Sequence, residues 1–243
     1  MTTTRLLIAA SLILLGGCES VDSDDILTGG IFASLSAVAK NASATEVTAR
    51  LKVGGATSNT YLDLSASDTL EGTVDGVTKT LARGADPFGS VWYDADFSGA
   101  AEDMEVGISF IRGGDATSDQ SATRSRATLP APFELTAPDS ATELSRSADD
   151  LVITWDVFGK GEDLSLSVTG DCVSWDISEE DIADTGSFTV TAGLLVPDED
   201  DGSSCLATVT LTRTREGTVD SNFGEGGVFF ASQRREVDFT SKP

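Results

Sequence analysis

Few residues of this chain could carry out chemistry. Its 243 residues include no His, three Cys, and 40 Asp plus Glu against 16 Lys plus Arg, so the net charge is −24. The commonest general base and the commonest metal ligand are therefore missing. Nucleic acid is not an expected partner, because binding to phosphates depends on Lys and Arg. The candidates that remain are the cysteines, several carboxylates and one tryptophan.

Two of the cysteines, Cys172 and Cys205, lie at even spacing from apolar residues of their own segments. Cys172 shares its parity with Val168, and Cys205 shares its parity with Ala207. In unbroken strands both thiols would face the core. Two inward thiols in an exported chain favour a disulfide. A redox-active pair is the alternative, although catalytic dithiols usually stand as Cys-x-x-Cys near a helix start.

One tryptophan is predicted to point away from the core. Alternation along residues 91–97 turns the odd-numbered side chains inward and Trp92, Asp94 and Asp96 outward. A Trp beside carboxylates can stack on a sugar ring or anchor a protein partner. A Trp covered by a neighbouring domain or by a loop is the alternative.

Two acidic segments suggest further chemistry. Asp198, Asp200 and Asp201 could offer oxygen ligands to Ca²⁺, which is the one cofactor considered, but their spacing fails the EF-hand pattern and a solvated turn is favoured. The string DTGS at residues 184–187 resembles that of aspartic proteases. Their chemistry needs two such carboxylates, and the chain has no second copy, so an ordinary turn is favoured here too.

The third cysteine, Cys18, ends an N-terminal segment of a different kind. Arg5 is followed by an apolar run over residues 6–15, which is shorter than the roughly 20 residues that span a bilayer. This arrangement is typical of a secretory signal. The string LGGC at residues 15–18 resembles the lipobox of bacterial lipoproteins. A secretory signal that happens to contain a cysteine is the alternative.

The lipobox resemblance implies where the chain is held. Residues 1–17 would be a cleaved signal peptide, and acylated Cys18 would anchor the protein to a lipid bilayer of the bacterial cell envelope. In enterobacterial lipoproteins Asp after this cysteine favours the inner membrane; Glu19 departs from that pattern, so the outer membrane is expected. The acidic residues 18–29 predict a flexible tether.

Short alternating segments must position these side chains. Residues 46–53 alternate with period two, and Asp75-Gly76 between strand-like arms is a strong hairpin signal. About seven such segments precede residue 112, which is typical of a β-sandwich. The string LPAP at residues 129–132 predicts a stiff joint. The last strand, over residues 228–239, is predicted to carry a bulge, because its apolar parity shifts.

The second half of the chain carries a family resemblance. LVITW at residues 151–155, a Gly-containing turn and LSLSV at residues 164–168 resemble strands B and C of fibronectin type III and immunoglobulin-like domains. The chain departs from fibronectin type III domains in two ways. It lacks their strand-C tyrosine, and it has a cysteine pair that those domains rarely carry. We therefore expect an all-β chain with two immunoglobulin-like β-sandwich domains in tandem, residues 30–128 and disulfide-bonded residues 129–243.

Three function classes stay open, since this architecture implies no activity. The chain has no His for a catalytic triad and no G-x-S-x-G string, so it is not expected to be an enzyme. The favoured class is a non-catalytic cell-envelope lipoprotein that scaffolds or binds another envelope or extracellular protein. The alternatives are a surface module that binds carbohydrate or calcium and, last, a hydrolase.

Overall fold

The computed structural model describes residues 19–113, 120–157, 160–173, 176–196 and 202–243. In this part of the chain there are eighteen strands, two 3₁₀ turns (Ser23–Asp25 and Thr28–Gly30) and no α-helix. The strands are β1 Glu19–Asp22, β2 Ile31–Asn41, β3 Ala44–Val53, β4 Thr60–Asp63, β5 Thr69–Val74, β6 Val77–Thr80, β7 Ala82–Ala85, β8 Val91–Ser98, β9 Glu105–Ile111, β10 Ala122–Thr128, β11 Leu135–Ala137, β12 Glu143–Ser145, β13 Leu151–Trp155, β14 Asp163–Gly170, β15 Ile177–Glu179, β16 Ser187–Val190, β17 Cys205–Glu216 and β18 Gly227–Lys242.

One large sheet runs through both halves of the molecule. Its eleven strands follow the order β1-β4-β3-β2-β18-β17-β14-β15, with β12 beside β18 and the β7–β8 pair beside β3. A four-stranded sheet, β10-β9-β5-β6, packs on it across the first core, and a three-stranded sheet, β11-β13-β16, packs on it across the second. The all-β sandwich architecture is confirmed. None of the described residues forms a helix with the length and apolarity that a bilayer crossing requires.

Period-two alternation builds the strands as the sequence predicts. In β2 the odd-numbered side chains, from Ile31 to Ala39, are buried, and β3 pairs with it in antiparallel register with Leu35 opposite Ala49. The β5–β6 hairpin turns at Asp75 and Gly76, whose φ angles are 46° and 77°. A type I′ turn needs positive φ at both positions, so Asp-Gly is the sequence that this turn favours.

The segment predicted as a flexible tether is folded, so that prediction is wrong. Strand β1 lies parallel to β4, with Glu19 opposite Thr60, and the side chains of Ser23 and Thr28 are buried. Arg112 donates from Nη1 to the carbonyl oxygen of Ser23 at 2.6 Å, and from Nη2 to that of Ile26. The polar composition of this segment does not prevent it from folding, because hydrogen bonds from the rest of the first unit replace those that it would make to water.

The predicted bulge in the last strand is also wrong. The register between β17 and β18 runs without a shift from Cys205 opposite Ser241 to Glu216 opposite Phe230. Odd-numbered side chains of β18 face inward throughout, while Phe230 faces outward and is 40% exposed. Apolar parity misleads here because polar side chains occupy the inward positions in the middle of the strand.

Those inward polar side chains fill the space between the two cores. Gln233 donates to the carbonyl oxygens of Ala100 and Pro130 at 2.7 and 3.2 Å, and Arg235 donates to that of Ala39 at 3.0 Å. Burial lowers the pKa of Arg235. The guanidinium group of Arg235 lies 5.5 Å from the centre of the Phe133 ring.

Strand β17 supplies a second buried arginine to the same region. Arg213 donates to the carbonyl oxygen of Ala131 at 2.9 Å and forms an ion pair with Asp184 at 2.8 Å. Its guanidinium group lies 4.9 Å from the centre of the Phe133 ring. We call Arg213, Gln233, Arg235 and Phe133 the junction cluster, because it joins β17 and β18 to the linker and to both cores.

The predicted boundary at residue 129 needs correction, since the chain returns to the first unit after β17 and enters the second unit again along β18. Phe223, Phe229 and Ala231, which were expected in the second domain, are buried in the first core, and the rings of Phe223 and Phe110 stack at 6.2 Å. The reason is that β18 pairs in parallel with β2 over Gly227–Gln233 before it continues into the second unit. The two sandwich units therefore share one strand.

Candidate functional site

Strand β8 presents the predicted binding residues on the outer face of the large sheet. Val91, Tyr93 and Phe97 are buried, whereas Trp92 and Asp94 are half-buried and Asp96 is exposed. The predicted parity of Trp92 is therefore the one that the structure shows.

Two neighbouring residues hold the indole ring in place. Trp92 lies opposite Gly84 of β7, and a Cβ atom at position 84 would lie 2.4 Å from the indole Cε2. Only glycine leaves room for the ring there. On the β3 side, the guanidinium carbon of Arg50 lies 5.9 Å from the ring centre, within the range of a cation–π contact.

Polar contacts around β8 hold this strand in place. The Tyr93 hydroxyl accepts a hydrogen bond from the N–H of Leu64 at 2.8 Å, and burial raises the pKa of Tyr93 to about 12. Arg83 donates to both carboxylate oxygens of Asp63 at 2.7 and 2.8 Å, which lowers the pKa of Asp63. These contacts join β4, β7 and β8, so the strand that carries Trp92 is held from both sides.

The outer face continues from β8 across three more strands. The register places Arg50 of β3 beside Trp92, then Ser34 of β2 and Val228 of β18. At about 4.8 Å per strand, this row spans roughly 14 Å. The next row along the strands consists of Asp94, Thr48, Ser36 and Phe230. We call these two rows the Trp92 face.

Charge is unevenly distributed around the Trp92 face. In the described part of the chain no carboxylate lies within ion-pair distance of Arg50. Asp96 lies one row beyond Asp94, opposite Glu46, whose carboxylate pairs with Lys40. The positive charge of Arg50 therefore lies beside Trp92, and the negative charges of Asp94 and Asp96 lie farther along β8. Arg50 and Phe230 were not predicted from the sequence, because only the strand register shows that they lie on the same sheet face as Trp92.

The predicted disulfide is confirmed. Cys172 and Cys205 are bonded at 2.03 Å, with the Cα atoms 5.7 Å apart. It joins the turn after β14 to the first residue of β17. Cys172 is fully buried and Cys205 is half-buried, so the expected inward orientation is complete only for the first.

The remaining candidates are not brought together into a site. Cys18 and the acidic residues Asp198, Asp200 and Asp201 lie outside the described residues. Within the described ranges no group of three or more Cys, Asp or Glu side chains is arranged to hold a metal ion. In the DTGS turn, Asp184 accepts hydrogen bonds from Trp155 Nε1 at 2.7 Å and from Arg213 at 2.8 Å. That carboxylate is therefore used to hold the second unit together.

Comparison with known proteins gives no family for the chain. No protein-family model matches it, and no curated protein sequence does either. Among solved structures, the chicken CNTN1 FN1–FN3 domains align at 13% identity over 86% of this chain and 66% of that one, with a TM-score of 0.23. The Yersinia pseudotuberculosis adhesin InvE aligns at 12% identity over 87% of this chain and 59% of that one, also with a TM-score of 0.23. The chain thus spans less than two thirds of either structure, and we base the architecture on its own strands.

Proposed function

We propose that the protein is a lipid-anchored, non-catalytic component of a bacterial cell envelope that binds another envelope or extracellular protein through the Trp92 face. The lipid anchor would be on Cys18, and the outer membrane would be its location. The LGGC string and the apolar segment before it support this location. The support for binding comes from the composition and geometry of the outer sheet face.

The observation that carries the binding proposal is the half-buried Trp92 held beside Arg50, which has no ion-pair partner in the described part of the chain. Trp and Arg are enriched among the residues that contribute most to protein–protein affinity, because each offers a large rigid or planar contact area. Trp92 is fixed by Gly84 and Arg50, so little side-chain freedom would be lost on binding. Val228 and Phe230 extend the apolar area on the far side of the polar centre.

The junction cluster supports a scaffolding role. Two units that share β18 and are joined by buried hydrogen bonds would present the Trp92 face at a fixed angle to the second unit. Ordinary neighbouring domains joined by a linker move relative to each other. A fixed arrangement suits a protein that positions a partner.

The titrating carboxyls are consistent with a non-catalytic role. A general acid needs a pKa raised toward neutrality. At Asp63, by contrast, the hydrogen bonds from Arg83 lower the pKa. At Glu162 and Asp220 burial opposes ionisation, but hydrogen bonds from arginine and from backbone N–H groups outweigh it and lower the pKa. These carboxylates stabilise the fold.

Quantitative capture from detergent-solubilised envelopes tests the binding proposal. Trp92→Ala should reduce retention of specific partners about thirtyfold, which corresponds to roughly 2 kcal/mol. Phe88→Ala is the matched control, because Phe88 is 80% exposed at the tip of the β7–β8 turn and lies outside the Trp92 face. Equal loss in both variants, or no loss in Trp92→Ala, would contradict the proposal.

A glycan is the second candidate, and the position of the indole ring against Gly84 is the observation that favours it. An aromatic ring held flat on a sheet can stack on a sugar ring. Retention of polysaccharide by the purified full chain, lost in Trp92→Ala and kept in Arg50→Ala, would support a glycan. Loss of protein capture in both variants would support a protein partner instead.

The lipid anchor has its own test. Cys18→Ser should leave the precursor unacylated and move the protein out of the membrane fraction, because a secretory signal alone provides no lasting anchor. The measurement is cell fractionation with and without globomycin. A variant that stays in the membrane fraction, together with processing that globomycin does not affect, would show that the lipobox interpretation is wrong.

A further inference from the structure

An arginine is buried against the disulfide. Arg146, which is 4% exposed, lies in the turn after β12 and donates from Nη1 to Cys172 Sγ at 2.9 Å. The same nitrogen lies 3.2 Å from the carbonyl oxygen of Ser241, and Nη2 donates to that of Ser203 at 2.9 Å. The Nε atom of Arg146 is buried and has no hydrogen-bond partner.

The charge of Arg146 lacks a counter-ion in the described part of the chain. Arg112 pairs with Asp68 and Arg213 pairs with Asp184. The buried Arg235 also donates to neutral acceptors, but these are carbonyl and amide oxygens and not sulfur. Arg146 makes contacts only with carbonyl, hydroxyl and disulfide acceptors. A buried charge without an opposite charge is costly. A disulfide sulfur is a weak neutral acceptor, whereas a thiolate at the same place would carry the missing negative charge.

The two cysteine residues differ in exposure. Cys172 is 0% exposed, whereas Cys205 is half-buried and follows the exposed residues Ser203 and Ser204. The backbone N–H of Cys172 donates to Cys205 Sγ at 3.2 Å. Cys205 is therefore the more exposed cysteine of the pair and the one that a thiol from solvent would reach first.

We propose that the disulfide is a one-sided thiol-exchange site, with Cys205 as the sulfur attacked and Cys172 as the leaving group. A thiolate of an external dithiol reductant would attack Cys205 Sγ and form a mixed disulfide with it. The bond between the two protein sulfurs breaks, and its electron pair leaves on Cys172 Sγ as a thiolate beside Arg146. The second thiol of the reductant then attacks the mixed disulfide, which releases reduced Cys205 and the oxidised reductant.

The same cluster gives this exchange a structural effect. Arg146 and the disulfide join the turn after β14, the start of β17 and the end of β18. Reduction removes the covalent link and turns the weak contact between Arg146 and Cys172 into an ion pair. We expect the far end of the second unit to loosen at Cys205 while Cys172 stays in place. This inference concerns the disulfide alone and does not depend on the function of the Trp92 face.

Adduct mapping in the wild-type chain is the first test. The native protein is incubated with reduced glutathione, quenched with acid, alkylated and analysed by peptide mass spectrometry. We expect the glutathione adduct on Cys205 and a free, alkylated Cys172, with at least a tenfold excess over the opposite arrangement. An adduct on Cys172, equal adducts on both, or no reaction until the protein unfolds would overturn the proposal.

The contribution of the charge is tested by substitution. Arg146→Met should slow reduction by dithiothreitol by about tenfold or more, because a less stabilised thiolate leaves more slowly, and Arg146→Lys should restore part of the rate. Arg213→Met is the matched control, since it removes a buried arginine of the same unit that is far from the disulfide. Reduction of Arg146→Met at the wild-type rate would overturn the role of the charge. Adduct mapping needs no variant, so it decides the proposal if Arg146→Met fails to fold.

Discussion

The two sandwich units secure their outer ends in different ways. In the first unit, Arg112 holds the N-terminal segment through two backbone carbonyls and a buried ion pair with Asp68. In the second unit a disulfide joins the strand ends, and the buried Arg146 beside it has no carboxylate partner in the described part of the chain. The end of the first unit is held by an ion pair, and the end of the second unit is held by a disulfide that a reductant can break.

Two arginines of similar burial thus have opposite consequences in the two units. A guanidinium paired with a buried carboxylate makes each partner dependent on the other. A guanidinium beside a disulfide stabilises the product of reduction more than the disulfide itself. The first end should therefore respond to loss of charge, and the second end to redox conditions.

Removal of Arg112 should have the largest effect on stability. Arg112→Met leaves the Asp68 carboxylate, whose side chain is 1% exposed, without its counter-charge, and the expected loss is about 3–5 kcal/mol of unfolding free energy. Urea unfolding of the full chain measures it. Arg234→Met is the control, because the side chains of Arg234 and its partner Glu236 are 44% and 47% exposed, and its loss should cost less than about 1 kcal/mol. A separate transition for each unit, with only one displaced, would contradict the coupling through β18.

Removal of the disulfide should rank next. The double variant Cys172→Ser with Cys205→Ser should lose about 3–4 kcal/mol, because the unfolded chain regains the entropy of a loop with a sequence separation of 33 residues. Thermal unfolding under non-reducing conditions measures the loss. Dithiothreitol should lower the stability of the wild type and leave the variant unchanged. A loss below about 1 kcal/mol would show that the second unit closes without the covalent link.

Acid should act on the first unit through Asp220. Burial alone would raise the pKa of this carboxyl, but hydrogen bonds from the N–H of Asn222 and from Arg124 outweigh it and lower the pKa. Its contribution to stability is therefore complete above the unfolded value of about 3.9 and is lost as the pH falls through the lower folded value. Urea midpoints measured between pH 3 and pH 7 should fall more steeply for the wild type than for Asp220→Asn. Equal slopes would contradict the prediction.

The smallest effect on stability is expected at Trp92. Trp92→Ala should unfold within a few degrees of the wild type, because the indole lies on the sheet surface and outside both cores. Trp155→Ala is the buried control, since Trp155 packs in the second core and donates to Asp184, and it should lose about 3–5 kcal/mol. A decrease for Trp92→Ala comparable to that control would show that the indole supports the fold.

The sequence allowed the strands and the disulfide to be predicted, because both depend on the parity of apolar side chains. Leu35, Val168 and Cys172 face inward as alternation requires. The tether and the bulge were mispredicted where polar side chains are buried. Gln233 and Arg235 occupy inward positions because carbonyl oxygens far away in the chain accept their hydrogen bonds. No local pattern marks such partners, and the same holds for Arg112.

The strand that the two units share also sets the distance between the N-terminal end of the described chain and the disulfide. Strand β18 has 16 residues and therefore extends about 50 Å at roughly 3.3 Å per residue. The registers place its first residues at the same end of the sheet as Glu19, and its last residues opposite Cys205. With the acyl chains that we propose on Cys18, the body would stand on the bilayer with almost no slack. The disulfide would then lie about 50 Å along β18 from the anchored end.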